Sequence, residues 1–317
     1  MDDVVEWLLE GDPSIRAQVL RDLVDSPAAD VAAERGRIAT EGWGARLLAE
    51  QAGDGLWDGG VYRPGWVDEE RPFFDAWTAT HFSLSLLREL DPDPGAEVVR
   101  RAVRRVREQV RWDRDDGPGY YEGETEPCVN GAVLANAAWA GEPGDRVVEA
   151  LLEHRLPDGG FNCWDRWGAR TFSFHSTLAV VEGLLAWERA GGDRGDVRAV
   201  RLAAEDLLLD RGLIRRASTG AVADPRFTLL SFPTWWYYDV LRALEHVRLA
   251  RPDGDPRCAE AVELVRGKRH ADGRWRLEQT HMGPTLFVLD GEDEGLPSRW
   301  ITLRALRVLA WWDGRPR

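Results

Sequence analysis

The chain alternates between two kinds of helical stretch, separated by short glycine-containing turns that each end on an aromatic residue. Segments 74–90, 127–139, 174–187, 234–247 and 298–312 carry few charges and are apolar nearly all round, the pattern of helices buried on every side. Between them, segments 95–110, 145–154, 197–209 and 257–266 keep a 3.6-residue period with one wet face. Two more amphipathic stretches, 13–24 and 44–51, open the chain. The turns read Gly53-Asp54-Gly55-Leu56-Trp57, Asp116-Gly117-Pro118-Gly119-Tyr120, Pro157-Asp158-Gly159-Gly160-Phe161 and Ala271-Asp272-Gly273-Arg274-Trp275. Glycine supplies the positive φ such a turn needs, and the aromatic packs back on the helices. Successive turns lie about 40 to 60 residues apart, or twice that, which is the period of helix–turn–helix repeats.

An apolar layer alternating with an amphipathic one predicts an all-α fold, an α/α-toroid of about five to six helical hairpins with inner and outer helices. Pro127, Pro233 and Pro297 stand at or just before predicted inner-helix starts, where a missing N–H costs nothing, and Ser298 suits an N-cap. No Ser/Gly-rich linker divides the chain, so 1–317 reads as one domain. Residues 1–52 would form capping helices and 53–317 the repeats.

At 44% hydrophobic and 30% charged residues, the chain can fill a core that size while keeping a solvated surface. The balance of 41 Lys and Arg against 55 Asp and Glu gives a net charge of −14, which argues against a nucleic-acid partner. No run of about 18 apolar residues and no charged-then-apolar leader is present, so no membrane span and a cytoplasmic location are expected. Three cysteines, Cys128, Cys163 and Cys258, are too few and too odd in number for a disulfide framework. In a reducing compartment they would be free thiols or metal ligands. Sixteen tryptophans are the compositional outlier, and they either fill the core or wall a cavity. The run Trp235-Trp236-Tyr237-Tyr238-Asp239 follows Pro233 at a predicted inner-helix start. Successive helical positions differ by about 100°, so one or two of these aromatics would face the cavity, with Asp239 near them.

The Asp-Gly-Gly-aromatic turn at Phe161, the Asp-Gly-Arg-Trp turn at Trp275 and the closing Pro297-Ser298-Arg299-Trp300 resemble the repeat of the terpenoid cyclase and protein prenyltransferase superfamily. The resemblance runs from about Gly53 to Trp312 and implies the toroid. Glu126-Pro127-Cys128 and Phe174-His175-Ser176-Thr177 are similar to the inner-helix starts at which protein prenyltransferase β subunits hold zinc through an acidic residue, a cysteine and a histidine. That resemblance implies Zn2+ on Glu126, Cys128 and His175. Cys163, just after the intervening turn, could serve instead of Glu126 or beside it. It also implies an isoprenoid-like small molecule as substrate and allows a protein partner, because those β subunits work with a helical-repeat subunit. The run 120–126 holds three carboxylates and neither Lys nor Arg, which would repel a diphosphate unless a divalent ion intervened.

Two aspartates are candidate cavity acids. Asp115 lies in Asp113-Arg114-Asp115-Asp116, which matches the DxDD pattern of class II terpene cyclases, although its place before a Gly-Pro-Gly turn also suits a solvated acidic loop. Asp239 is the other. Trp235, Trp236, Tyr238, Trp164, Trp300, Tyr121 and His81 are the candidate substrate contacts; His81 and His281 also suit structural roles. Three readings follow, in this order: a zinc-dependent enzyme whose metal activates a thiol or water, a metal-free cyclase-like enzyme using Asp115 or Asp239 as acid, and a non-catalytic ring that binds a small ligand or a protein.

Overall fold

The computed structural model describes residues 3–67, 76–112 and 117–314, so the Asp113–Asp116 run lies outside the described residues. Among the described residues there are thirteen α-helices, and extended pairing is confined to isolated bridges. The chain opens with α1 (Asp3–Leu9), α2 (Pro13–Asp22), α3 (Ala28–Arg37) and α4 (Gly42–Ala49). There follow α5 (Thr80–Leu90), α6 (Glu97–Gln109), α7 (Pro127–Ala140), α8 (Asp145–Glu153) and α9 (Phe174–Arg189). The last four are α10 (Gly195–Leu209), α11 (Val240–Ala250), α12 (Ala259–Gly267) and α13 (Arg299–Trp312). No helix among the described residues is long and apolar enough to cross a membrane.

The two predicted helix classes segregate. The weakly charged helices pack on one another in the order α5, α7, α9, α11, α13, then α2 and α4, and α4 packs on α5 again. The charged helices lie against this succession: α6 on α4, α8 on α7, α10 on α9, α12 on α11 and α13. The closest approach is between α7 and α9. A Cβ added at Gly131 would meet the Ala179 carbonyl, and one added at Gly183 would meet that of Gly131, so only glycine lets these backbones touch.

A threonine in the first turns of three of these helices fixes the preceding turn. Thr80, Thr177 and Thr302 accept at Oγ1 from the backbone N–H of Trp57, Phe161 and Trp275, at 3.0, 3.1 and 3.0 Å. The three turns share their hydrogen bonding, Ala52 N to Leu56 O, Leu156 N to Gly160 O and His270 N to Arg274 O, each 2.9 Å. Gly55, Gly159 and Gly273 supply φ values of 84°, 94° and 80°. The aromatics that end these turns are fully buried, and the indole N–H groups of Trp57 and Trp275 are spent on the Leu47 and Val265 carbonyls.

Two helix starts and two whole helices differ from expectation. Helix α5 begins at Thr80 rather than at 74, because residues 76–79 run into it as non-helical chain. Helix α11 begins at Val240 rather than at 234. Asp239 is its N-cap, accepting from Arg242 N at 2.9 Å, and the aromatic run is a loop in which Trp235 has φ 50°. Helices α1 and α3 were not expected; α1 has seven residues and α3 buries none of its side chains, so neither carries a strong apolar stripe.

Candidate metal centre

Glu126, Cys128 and Cys163 come together where α7 starts beside the turn that leads to α9. One ligand atom from each lies within 4.8 Å of the others. Pro127 at the first helical position fixes how the chain enters α7, which sets Glu126 just outside the helix and Cys128 in its first turn. Cys163 reaches the same point from 35 residues away, and the two cysteines are joined as a disulfide with Cα atoms 6.2 Å apart. This differs from the free thiols expected of three cysteines: the turn after Phe161 and the start of α7 leave no more than a disulfide span between them. Cys258 remains free and buried, and burial pushes its thiol up to about 12.

Two hydrogen-bond donors converge on Cys163. Its sulfur accepts from the Cys128 backbone N–H and from Ser176 Oγ, both at 3.3 Å, and the first of these donors belongs to the N-terminus of α7. Ser176 is itself held by the Cys163 N–H at 3.1 Å. Cys128 Sγ lies 3.8 Å from Glu126 Oε2. Burial and the neighbouring Glu124 raise the Glu126 carboxyl above its ordinary value, and Asp165 adds to the negative field. Two thiolates and a carboxylate in so acidic a corner suit a divalent cation.

His175 is not part of this group. Its Nδ1 accepts from the Tyr238 backbone N–H at 2.9 Å, so the neutral ring carries its proton on Nε2 and neither nitrogen presents a free lone pair. Phe227, Trp236, Tyr237 and Tyr238 surround the ring edge-on, and burial with Arg242 and Arg226 nearby pushes its pKa down to about 4.

No family model and no curated protein matches the chain. A solved structure described as a protein from Actinoplanes aligns with 95% of this chain and 90% of its own, at 18% identity and a TM-score of 0.45.

Between α5, α7, α9 and α11 a space of about 260 Å³ is lined by charged side chains, Arg88, Glu89, Glu182, Arg242, Glu245 and Arg304 among them. Beside Cys128 a cavity of only about 30 Å³ remains, walled also by His81, Trp235 and Trp236, enough for a water molecule or two and too little for a substrate. The roomier approach is an open cleft of about 830 Å³ on the other side of Glu126, lined by Leu56, Tyr62, Trp112, Val129 and Arg111.

The remaining expected contacts scatter. His81 lines the small cavity, its Nδ1 3.2 Å from Tyr120 Oη, and burial pushes it down to about 3. Trp235 stacks on Trp77 at 5.3 Å and Trp236 on Tyr237 at 3.8 Å. Tyr238 is buried and donates to the Leu213 carbonyl at 2.5 Å; Trp300 is buried against Phe232 at 4.2 Å; Tyr121 is buried beside Tyr120. Trp164 is 71% exposed, edge-on to the equally exposed Trp167, next to Cys163. Asp239 is buried with both oxygens engaged, by Arg242 N and by Ser231 N and Oγ, and burial raises its pKa. Nothing in the sequence singles out Ser176 within Phe174-His175-Ser176-Thr177; only the fold shows its hydroxyl turned to Cys163.

Proposed function

We propose that this chain is a zinc-dependent enzyme on an α/α-toroid, with zinc held by Glu126, Cys128 and Cys163 and a small, partly apolar substrate entering by the cleft beside Glu126. The observation that carries the reading is the meeting of three zinc-type ligands from two parts of the chain within 4.8 Å. Three protein ligands leave the fourth tetrahedral position for water or substrate, which is the arrangement of a catalytic rather than a structural site. Zinc there would lower the pKa of a bound water or thiol, and Ser176 and the Cys128 N–H would hold the Cys163 sulfur in place. Cys163 would take the place of His175 in the set of Glu126, Cys128 and His175 implied by likeness to prenyltransferase β subunits.

The toroid is supported by the order of packed helices, which returns from α13 through α2 and α4 to α5, and by the three threonine-clamped turns. Membership of the terpenoid cyclase and protein prenyltransferase superfamily rests on the turn motifs. A cytoplasmic location fits the chemistry, because a reducing compartment keeps Cys128 and Cys163 available to metal.

A competition titration of reduced protein against a zinc chelator tests the ligand set. Cys128→Ala, Cys163→Ala and Glu126→Gln each lower zinc affinity strongly, Ser176→Ala lowers it by about tenfold, and His175→Ala leaves it unchanged. Zinc retained by the cysteine variants, or released by His175→Ala, contradicts the assignment.

A further inference from the structure

A second cavity, of about 240 Å³, lies between α4, α5, the aromatic loop before α11 and the strap formed by residues 280–289. It is larger than the roughly 150 Å³ that accommodates benzene in a dry protein interior. Its walls are aromatic and aliphatic, with the rings of Trp77, Phe232, Trp235 and Phe287 among them. Trp77 pins the strap over the space, donating from its backbone N to Pro284 O and from Nε1 to Met282 O, both at 2.9 Å. The outer side of the strap exposes Met282 and Val288.

One carboxylate enters this apolar box. Glu292, 7% exposed, accepts from Trp300 N at 3.0 Å and from the Ser298 hydroxyl at the start of α13. The Arg299 backbone N–H also bonds the carboxylate, so three donors from the start of α13 engage its two oxygens and one lone pair is left for another. Among the described residues, no Lys or Arg lines the cavity. Arg299, the cation that acts on Glu292 through space, donates to Trp7 O at 3.0 Å and pairs with Glu10. His281 also lines the cavity, and its Nε2 is buried with no hydrogen-bond partner. These rings already attract a cation from outside, since the Arg46 guanidinium lies 4.2 Å over Phe287.

We propose that this cavity binds a small apolar ammonium ion, its hydrocarbon body against the aromatic walls and its charged nitrogen on the Glu292 carboxylate. An anion finds no cation among the described lining residues, and a fully apolar guest leaves the Glu292 charge without a counter-cation and His281 Nε2 without a partner. Aromatic faces with one carboxylate select a cation that carries hydrocarbon. Glu292 behaves as a site of this kind should: burial pushes its pKa up to about 7, and a bound ammonium holds it ionised. The proposal does not depend on the metal centre.

Isothermal titration calorimetry with 2-phenylethylammonium and with 2-phenylethanol, a neutral molecule of the same size, tests it. The wild-type protein binds the ammonium at least about tenfold more tightly than the alcohol. Glu292→Gln removes that preference while keeping the weak binding of the alcohol. Leu286→Trp, which fills the cavity from the strap, abolishes binding of both, with folding of each variant confirmed by its thermal transition. Absence of ammonium binding, equal binding of the two probes, a preference that survives in Glu292→Gln, or ammonium binding retained in Leu286→Trp each overturns the proposal; if Glu292→Gln does not fold, the other three outcomes still decide.

Discussion

Glu292 shows at residue scale how the fold sets burial against hydrogen bonding. Three donors at the start of α13 favour its charged form, yet burial is the larger effect and carries the carboxyl from an ordinary 4.5 to about 7. A carboxyl raised on folding stabilises the protein below its unfolded value and loses that stabilisation as pH rises through its folded value. Between pH 4.5 and pH 7 the loss should come to about 3 kcal/mol. Urea denaturation across this window should therefore give a falling stability for the wild type and a flatter profile for Glu292→Gln; parallel profiles would mean Glu292 is not the group responsible. None of this was legible in the sequence, where Glu292 is one acid in the run Asp290-Gly291-Glu292-Asp293-Glu294. Glu126, Cys128 and Cys163 were legible, because unusual residue types stood at a helix start and just after a turn. The place of His175 was not, since what occupies its Nδ1 is a backbone N–H 63 residues away.

At the scale of elements, periodicity located α2, α4 and every helix from α5 to α13, because each buries a stripe or a whole surface. It failed for the start of α11, where four consecutive aromatics resemble buried helix but are held as a loop, with Asp239 capping the helix only afterwards. The threonine clamps also escaped notice, since the separations between aromatic and threonine are 23, 16 and 27 residues and show no fixed period. The contact between α7 and α9 carries its own prediction. Gly131→Ala drives a methyl into the Ala179 carbonyl, and neither helix backbone can yield without separating. The variant should lose about 1–3 kcal/mol in chemical denaturation. Ala at Gly36, which has open space around it, should not destabilise the protein; equal losses at both sites would show that α7 and α9 are not in close contact.

Over the whole molecule, the packed succession of weakly charged helices puts several helix starts and turns near one another, and this brings residues 126, 128 and 163 to one point. Ion pairs tie the helices together: Arg201 of α10 joins Glu205 of its own helix to Glu188 of α9 across the two layers, and Arg242 of α11 reaches Glu182 of α9 within one. The expected aromatic-lined space is divided, with a charged space between α5, α7, α9 and α11, little room beside Cys128, an open cleft beside the metal ligands and a separate cavity under the strap. Composition and period could announce the aromatics but not which of them would be stacked on neighbours and which would leave room. The most direct test of the metal centre is X-ray absorption at the zinc edge on reduced, zinc-loaded protein. Two sulfur neighbours at about 2.3 Å and oxygen neighbours at about 2.0–2.2 Å are expected, with both sulfurs lost in the Cys128→Ala, Cys163→Ala double variant. Failure to retain stoichiometric zinc, or a shell without two sulfurs, would contradict this ligand set.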